Sequence, residues 1–400
     1  MANVSSSNGL EKYPKLRFKG FSEPWNAIRF GDIVDEYSDR TKEENEDILL
    51  SAAIEGMFLN SELFDHQRGA SNKGYKKIDM GTLVLSTQNL HLGNANVNLR
   101  FEHGMVSPAY KTYHIHDCSI GLIAEWVKSE KAKRFFYDAT TVGASVCRRN
   151  VEWDTLYDQS LYLPSEAEQE RLATFLTALT TRIKKQTELV EHLKKYKRGA
   201  ITLILSNKDG SWKSGRLGDF ITINRGGSPR PIEAFITNDP DGVNWIKIGD
   251  VSEDSLYITQ TAEKITAEGS RKSRKVFAGD LILSNSMSFG RPYIMQIEGC
   301  IHDGWLLLRD DGACFDKKYL CYYLASDEVL AQYKKYAAGS CVSNLNSELV
   351  SNVFIEFPPL EKQKEIASSL ELLDERINCE IKLLEKLLLI KKGLLQSLFI

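Results

Sequence analysis

The sequence predicts an α+β protein with two similar sheet-containing domains, separated by two long helices that pair as an antiparallel coiled coil. Three observations predict this pseudo-twofold internal repeat. A stretch of 36 residues occurs twice without a gap, apolar residues recur in each copy at helical spacing, and shorter matches lie in front of each copy. Self-similarity at a fixed spacing is the signature of an internal duplication.

The repeated stretch starts at Pro164 and again at Pro358, a constant shift of 194 positions. A gapless match of this length favours duplication over two unrelated amphipathic helices. Twelve of the 36 aligned pairs are identical: Pro164/Pro358, Gln169/Gln363, Ala173/Ala367, Leu176/Leu370, Leu179/Leu373, Arg182/Arg376, Ile183/Ile377, Leu189/Leu383, Glu191/Glu385, Leu193/Leu387, Lys197/Lys391 and Gly199/Gly393.

Each copy is predicted to be helical. A proline fits the first turn of a helix because its missing N–H has no partner to lose there, and apolar residues then follow three or four apart. About 40 residues at 1.5 Å each give a rod of roughly 60 Å, and its single apolar stripe needs a partner of similar length. We expect the two copies, residues 164–205 and 358–400, to pair with each other.

The duplication extends into the segments before the helices. The segment WNAIRFGDIV from Trp25 matches WKSGRLGDFI from Trp212, and GTLVLS from Gly81 matches GDLILS from Gly279. The shifts of 187 and 198 are close to 194, and the small differences are those expected if the two copies have loops of different lengths. The predicted order is therefore a flexible N-terminus (1–14), a first domain (15–163), the first helix, a second domain (206–357) and the second helix.

The composition limits the classes of protein to which this chain can belong. The apolar fraction of 42% is ample for packed cores, no long apolar run predicts a membrane span, and the polar first ten residues do not resemble a secretory signal. Seven scattered cysteines without a C-x-x-C pair indicate reduced thiols and a cytoplasmic protein. The net charge of −3 requires any nucleic-acid surface to be local.

These features together resemble one family. The helix entries FPPLEKQKEIASSL from Phe357 and LPSEAEQERLATFL from Leu163, and the pair RGGSPRP and NWIKIGDV in the second domain, are similar to the specificity subunit of Type I restriction-modification systems. The resemblance covers residues 15–400. It implies two target-recognition domains that each read one half of a split, asymmetric site in double-stranded DNA, spaced by the paired helices.

The resemblance also implies partners. Two methyltransferase (modification) subunits would bind the helices and adjacent surfaces, and restriction subunits would join to cleave DNA. S-adenosylmethionine, Mg²⁺ and ATP would then belong to the partner subunits, and this chain would bind no cofactor or metal itself. It would be a non-catalytic subunit of a methyltransferase and endonuclease complex, directing adenine methylation.

Reading DNA requires Arg, Asn or Gln aimed at base edges and Lys, Arg or Ser on phosphates. The second domain offers basic and polar residues in three loops, although a solvated loop would have the same composition: Arg225, Ser228, Arg230, Arg271, Lys272, Arg274, Lys275 and Arg291. The first domain diverges in its loops and offers Arg68, Asn72, Lys73, Lys76, Lys77, Gln88, Asn89, Arg100 and Lys111.

The second helix is more apolar near its end than one partner helix requires. This excess predicts a subunit interface, although the core of an intramolecular bundle would give the same pattern. The residues concerned are Leu388, Leu389, Ile390, Leu394, Leu395, Leu398 and Phe399.

Enzymatic motifs are absent from the sequence: it has no phosphate-binding loop, no H-E-x-x-H and no NPPY-type tetrapeptide. His114 and His116 alternate on a predicted strand without nearby ligands, which favours core or surface roles over a metal site. Two alternatives to a DNA reader remain. One is a coiled-coil scaffold that binds protein partners without DNA sequence specificity, and the other is a stand-alone nuclease.

Overall fold

The structure is a computed structural model, and it describes residues 13–64, 71–145, 148–251, 255–285, 290–310, 313–338 and 345–400. The predicted flexible N-terminus lies outside this range except for its last two residues. The chain divides into two compact units. Residues 1–187 and 383–400 form the first unit, and residues 188–382 form the second. The boundary between the units therefore falls inside both long helices.

The first unit is built on an antiparallel four-stranded sheet in the order β2-β9-β6-β7, with three strand pairs β1-β12, β3-β4 and β5-β8 and a hairpin β10-β11. Its strands are β1 (Asn26–Arg29), β2 (Val34–Tyr37), β3 (Leu50–Ala52), β4 (Met57–Leu59), β5 (Lys76–Asp79), β6 (Leu83–Ser86), β7 (Ala95–Val97), β8 (His103–Val106), β9 (Tyr110–Ile115), β10 (Thr140–Ser145), β11 (Arg148–Val151) and β12 (Ser160–Leu163).

The helices of the first unit are α1 (Asn60–Leu63), α2 (Ile120–Trp126), α3 (Glu130–Asp138), α4 (Trp153–Asp158) and the start of α5 (Glu166–Ser206). Helices α2 to α5 share one core with β6, whereas α1 contacts β3 and β4. Ser119 and Ser129 cap α2 and α3 by accepting N–H groups of their first turns. The main core joins Leu83 and Leu85 of β6 to Leu172 and Leu176 of α5.

The second unit contains two five-stranded sheets, β14-β23-β20-β21-β17 and β15-β18-β16-β22-β19, and the pair β13-β24. Its strands are β13 (Lys213–Arg216), β14 (Thr222–Arg225), β15 (Ile236–Thr237), β16 (Val243–Ile246), β17 (Tyr257–Ile258), β18 (Glu263–Ile265), β19 (Arg274–Val276), β20 (Leu281–Ser284), β21 (Pro292–Met295), β22 (Gly299–Ile301), β23 (Trp305–Arg309) and β24 (Phe354–Phe357). Its helices are α6 (Ala267–Arg271), α7 (Lys317–Leu324), α8 (Asp327–Ala338), α9 (Ser347–Ser351) and the start of α10 (Leu360–Leu398).

The two units repeat one topology. The order β2-β9-β6-β7 in the first corresponds to β14-β23-β20-β21 in the second, and the pair β1-β12 corresponds to β13-β24. In both units a short 3₁₀ turn, Phe30–Asp32 or Leu217–Asp219, joins the first strand to the sheet. The predicted α+β class with an internal repeat and two long helices is confirmed.

Within each unit the two long helices run antiparallel. In the first unit Leu172 and Leu176 of α5 share a core with Leu395 and Leu398 of α10, whereas Thr180, further along α5, meets the earlier Lys391. In the second unit Ile201 and Leu205 of α5 lie beside Ile366 and Leu370 of α10. Lys197, earlier on α5, meets Asp374, later on α10.

A glutamine repeated in both helices attaches each of them to its sheet domain. Gln169 donates to the carbonyl of Pro164 at 3.0 Å and accepts the backbone N–H of Ser119 at 2.9 Å. Gln363 donates to the carbonyl of Pro358 at 2.9 Å and accepts the backbone N–H of Asp316 at 2.9 Å. Both amides are buried. We call these two contacts the glutamine clamps.

Candidate nucleic-acid interface

Two predicted basic segments of the second unit meet in the structure. Arg225 ends β14 in one sheet and Arg274 begins β19 in the other. The Nε of Arg274 donates to the carbonyl of Arg225 at 3.2 Å, and the hydroxyl of Ser273 donates to the carbonyl of Gly227 at 2.6 Å. Six exposed basic side chains define what we call the basic surface: Arg225, Arg230, Arg271, Lys272, Arg274 and Lys275.

Asp303 contacts two of these cations, Arg225 and Arg230. Its carboxylate accepts the hydroxyl of Ser228 at 2.8 Å and lies 3.6 Å from a guanidinium nitrogen of Arg230. Its backbone carbonyl accepts the Nε of Arg225 at 3.3 Å and the amide of the buried Asn285 at 2.8 Å. Partial burial alone would raise the pKa of Asp303. The Ser228 hydrogen bond and nearby cationic groups outweigh burial and lower this pKa, so the carboxylate stays charged.

A glycine permits this close packing. A Cβ at Gly226 would lie 2.1 Å from the carbonyl oxygen of His302, closer than real side chains come to backbone atoms. The N–H of Gly226 donates to the carbonyl of Trp305 at 2.8 Å, and that of Gly227 donates to the carbonyl of Ile301 at 3.1 Å. The loop after β14 is therefore held against the 301–305 backbone, which fixes the direction in which Arg225 and Ser228 leave the chain.

The remaining candidates of the second unit make looser contacts. Lys272 forms an exposed ion pair with Glu268 at 3.0 Å and lies 4.5 Å from the centre of the Phe235 ring. Arg291 lies 5.8 Å from the centre of the Tyr293 ring. Arg271 and Lys275 are exposed, at the end of α6 and on β19. These cations suit phosphate contacts, which do not require a fixed orientation.

In the first unit, Lys111 and Lys77 are bound to carboxylates. Lys111 donates to Glu36 at 2.7 Å and lies 4.2 Å from the centre of the Trp153 ring. Lys77 forms an ion pair with Glu46, and this hydrogen bond, with two backbone N–H groups, lowers the pKa of Glu46 to about 2. Both lysines are thus partly neutralised within the unit.

Arg100 and Lys76 differ in their environments. Arg100 binds Glu62 with two hydrogen bonds of 2.9 and 2.6 Å, which lower the pKa of that carboxyl group. Its guanidinium also lies 4.8 Å from the centre of the Phe101 ring. Lys76 is buried on β5, and burial lowers its pKa.

The other predicted residues of the first unit divide into exposed and buried positions. Lys73, Gln88 and Asn89 are exposed. Asn72 is buried, and its side chain exchanges hydrogen bonds with Asn45 at 2.7 and 2.8 Å, so the structure gives it a structural role rather than a free amide. Arg68 lies outside the described residues. Among the residues described, no hydrogen bond or ion pair joins one of these first-unit candidates to another.

The predicted apolar interface requires a correction. Leu395, Leu398 and Phe399 are buried in the core of the first unit, and Leu394 packs against the same core. These four residues are therefore core residues, because the end of α10 completes the apolar layer begun by Leu172 and Leu176. The earlier three, Leu388, Leu389 and Ile390, are exposed by 50%, 71% and 52%.

A lysine from each long helix reaches the other helix. Lys391 of α10 donates to Thr180 of α5 at 2.6 Å and lies 2.8 Å from a carboxylate oxygen of Glu125 on α2. In the second unit Lys197 of α5 donates to Asp374 of α10 at 2.6 Å, and Tyr322 of α7 also donates to Asp374 at 2.7 Å. Each group contains one lysine, one carboxylate and one hydroxyl. In the first unit the other long helix supplies the hydroxyl and α2 the carboxylate, whereas in the second unit the other long helix supplies the carboxylate and α7 the hydroxyl.

Sequence reasoning missed the hydrogen-bond partners that organise these sites. Asp303 and Asn285 hold the basic surface, and Glu36 and Glu62 hold the first-unit cations. Ser228 and Asp303 are 75 positions apart, so no local pattern connects them. The glutamine clamps did have a signal, since Gln169 and Gln363 are one of the few identical polar pairs in the repeat.

In the described ranges, no group of three or more His, Cys, Asp and Glu side chains is arranged to hold a metal ion. None of the helices in these ranges combines the length and apolar character that crossing a bilayer requires. The described cysteines, at positions 118, 300, 314, 321 and 379, are not joined by disulfide bonds.

Comparison with known proteins gives concordant matches. Residues 210–389 match the Type I restriction modification DNA specificity domain. The Type I restriction enzyme MjaVIII specificity subunit of Methanocaldococcus jannaschii is 27% identical over 47% of this chain and 42% of its own. The putative MjaX specificity subunit of the same organism is 30% identical over 47% and 45%. The chain thus matches less than half the length of these curated relatives.

Two solved structures share the fold over nearly the whole chain. The S subunit of a Type-I restriction-modification system from M. genitalium has a TM-score of 0.57 at 14% identity, covering 97% of this chain and 99% of its own. A chain solved in work on complex assembly and conformational transition of the type I R-M system has a TM-score of 0.59 at 17% identity, covering 94% and 97%. Residues 210–389 thus match the Type I restriction modification DNA specificity domain by sequence, and the chain shares the fold of these two solved structures over most of its length.

Proposed function

We propose that this chain is the sequence-specific DNA-binding subunit of a Type I restriction-modification complex and carries out no catalysis itself. The observation that carries the proposal is the basic surface of the second unit. There, six exposed cations lie on segments next to a glycine loop, and contacts with Asp303 and with the 301–305 backbone fix the orientation of Arg225 and Ser228. Oriented donors near exposed cations suit simultaneous contact with base edges and phosphates.

We propose further that the DNA site is bipartite and asymmetric. The same strand order recurs in both units, whereas the loops that follow the strands differ. Arg225 ends β14, but Tyr37 ends the corresponding β2 and hydrogen-bonds to Thr82 at 2.7 Å. Equal scaffolds with different side chains at matching positions would read two different half-sites.

The long helices would set the gap between half-sites and hold the partner subunits. Helices of 41 and 39 residues are each about 60 Å long at 1.5 Å per residue, and paired helices are stiffer than a loop tether. The exposed patch of Leu388, Leu389 and Ile390 would contact a methyltransferase subunit. In this proposal the methyltransferase and restriction subunits supply S-adenosylmethionine, Mg²⁺ and ATP chemistry.

Selection from a randomised duplex library tests DNA reading. The full chain, with its methyltransferase partner, is expected to enrich duplexes that contain two fixed base blocks separated by an unspecified gap. Binding should weaken steeply as salt is raised, because phosphate contacts release counterions. Enrichment of no sequence, with binding to the methyltransferase retained, would instead support a protein-binding scaffold. Magnesium-dependent cutting by the chain alone would support a nuclease.

Two rearranged chains test the bipartite arrangement. Exchanging residues 15–163 for the matching domain of another family member should change one base block and leave the other intact. Inserting one heptad into both α5 and α10 should widen the gap and keep both blocks. If the domain exchange alters both blocks, or the insertion leaves the gap unchanged, the proposed division of labour is wrong.

A further inference from the structure

We infer that Arg225 reads a guanine in the major groove, with Asp303 and Ser228 as the positioning residues that hold the loop from which it projects. This inference rests on the proposed function and assigns one base contact within it. Arg225 is exposed at the end of β14 and leads directly into the glycine loop that packs on residues 301–305.

The geometry fixes one edge of the Arg225 guanidinium and leaves the other free. Its Nε donates to the carbonyl of Asp303 at 3.3 Å, while its own carbonyl accepts the Nε of Arg274 at 3.2 Å. Its two terminal nitrogens make no hydrogen bond or ion pair with the part of the chain that the structure describes. A planar fork held by its inner nitrogen presents its two outer nitrogens side by side, as the O6 and N7 acceptors of guanine require.

Other arginines near the sheet ends of the second unit are already engaged. Arg309 binds Asp280 through two hydrogen bonds of 3.2 and 2.7 Å, and Arg216 reaches the side chain of Asn352 at 3.2 Å. Arg230 faces the Asp303 carboxylate at 3.6 Å. Arg225 differs from all three because its hydrogen bond uses Nε, whereas each of the others engages a terminal nitrogen.

The Asp303 backbone carbonyl that anchors Arg225 is itself held in place by neighbouring side chains. Ser228 binds Asp303 twice, donating to its carboxylate at 2.8 Å and accepting its backbone N–H at 3.3 Å. Asn285, which is buried, donates to the same carbonyl that Arg225 uses. A phosphate contact needs only a charge nearby, whereas a base contact needs a donor pair in a fixed plane. The supports around Arg225 favour the base contact.

The test is selection of a randomised duplex library by the full chain with its methyltransferase partner, followed by binding measurements across salt concentrations. The Arg225→Ala and Arg225→Lys variants are expected to lose preference at a single G·C pair by roughly 5- to 100-fold, the range of one bidentate contact. Lysine keeps the charge but lacks the fork. The salt dependence of binding should stay that of the wild type. Ser228→Ala should lower preference at the same pair by a smaller factor.

Arg271→Ala is the matched control, since it removes an exposed cation of the same surface that has no fixed orientation. It should weaken binding to all sequences alike and reduce the salt slope by about one contact. If Arg225→Ala behaves in this way, Arg225 binds phosphate and the inference is wrong. If wild-type selection shows base blocks and both Arg225 variants retain every preference, the inference is wrong and the proposed function stands. If the wild type selects no sequence, both are wrong.

Discussion

The ammonium of Lys391 lies 2.8 Å from the carboxylate of Glu125, and their side chains are only 18% and 9% exposed. The pair joins the last part of α10 to α2 of the first unit, and Thr180 of α5 hydrogen-bonds to both partners at 2.6 Å. Three helices distant in sequence thus meet at one buried ion pair. Removing one partner of such a pair leaves an uncompensated buried charge.

We therefore expect Glu125→Gln and Lys391→Met each to reduce the free energy of unfolding of the first unit by about 3–5 kcal/mol. The double variant should lose less than the sum of the two, because neither charge is then left alone. Amide hydrogen exchange of peptides from α2, α5 and α10 measures the loss within this unit. Lys392→Met, at an exposed neighbouring position, is the control. Strictly additive losses would show that the two groups do not interact.

Replacing a clamp glutamine should loosen the attachment of a long helix. Gln363→Ala removes the acceptor for the N–H of Asp316 and the donors for the carbonyls of Pro358 and Cys314. Buried groups left without partners cost about 1–3 kcal/mol. Hydrogen exchange at the start of α7 is expected to accelerate, whereas the exposed control Gln396→Ala should have no effect. Unchanged exchange in both variants would contradict the clamp.

Acidification should destabilise the second unit through His302. Burial lowers the pKa of His302, and Asp303, Asp250 and Lys247 are the charged groups that act on it. The unfolded chain therefore takes up a proton first as the pH falls through the ordinary value of 6.5. The stabilising contribution is present above that pH and is lost below it.

Urea unfolding of the wild type and His302→Gln between pH 5 and pH 8, followed by hydrogen exchange in residues 245–250, measures this effect. The wild type should lose stability more steeply on acidification, because the Nε2 that accepts the N–H of Ile248 at 3.2 Å would become a donor. His192→Gln, at an exposed position of α5, serves as control. Parallel pH profiles for wild type and His302→Gln would exclude His302 as the cause.

Two substitutions near the end of α10 should distinguish a core residue from a residue of the proposed subunit interface. Leu398→Ala is expected to destabilise the first unit by about 2–5 kcal/mol, as large-to-small changes in a core do, since Leu398 is 2% exposed. Leu389→Ala should change stability by no more than about 0.5 kcal/mol. In the proposed complex it should weaken methyltransferase binding, measured by titration of the purified subunits. A stable Leu398→Ala chain would place that side chain outside the core.

The sequence predicts the architecture well where a signal is periodic or repeated. The helices were predictable because their apolar spacing survives in both copies, and the duplicated sheet because short strands such as 81–86 and 279–284 remain similar. The small strands of the second unit, such as Ile236–Thr237, carry no such signal, since their pairing with β18 depends on contacts between distant segments.

The candidate site was predictable by residue type and not by arrangement. The cations Arg225 and Arg274 stand in evident basic segments, but Asp303 gains its role only when β14 and β23 pair. For the leucines near the end of α10, the sequence predicted burial but not the packing partner. An excess of apolar residues fits either a subunit interface or a core, and Leu395 and Leu398 pack in the core that also contains Leu172. Asn72 likewise has the chemistry of a base reader and the environment of a structural residue.

The division of the chain has a consequence for its synthesis. The first unit consists of residues 1–187 and 383–400. During translation, residues 1–187 therefore emerge from the ribosome long before the segment that completes their core has been synthesised. Until then the apolar surface around Leu172 and Leu176 lacks Leu395, Leu398 and Phe399, and unfilled apolar surface promotes aggregation of nascent chains. Removing residues 383–400 would therefore damage the unit that is formed mainly by residues 1–187.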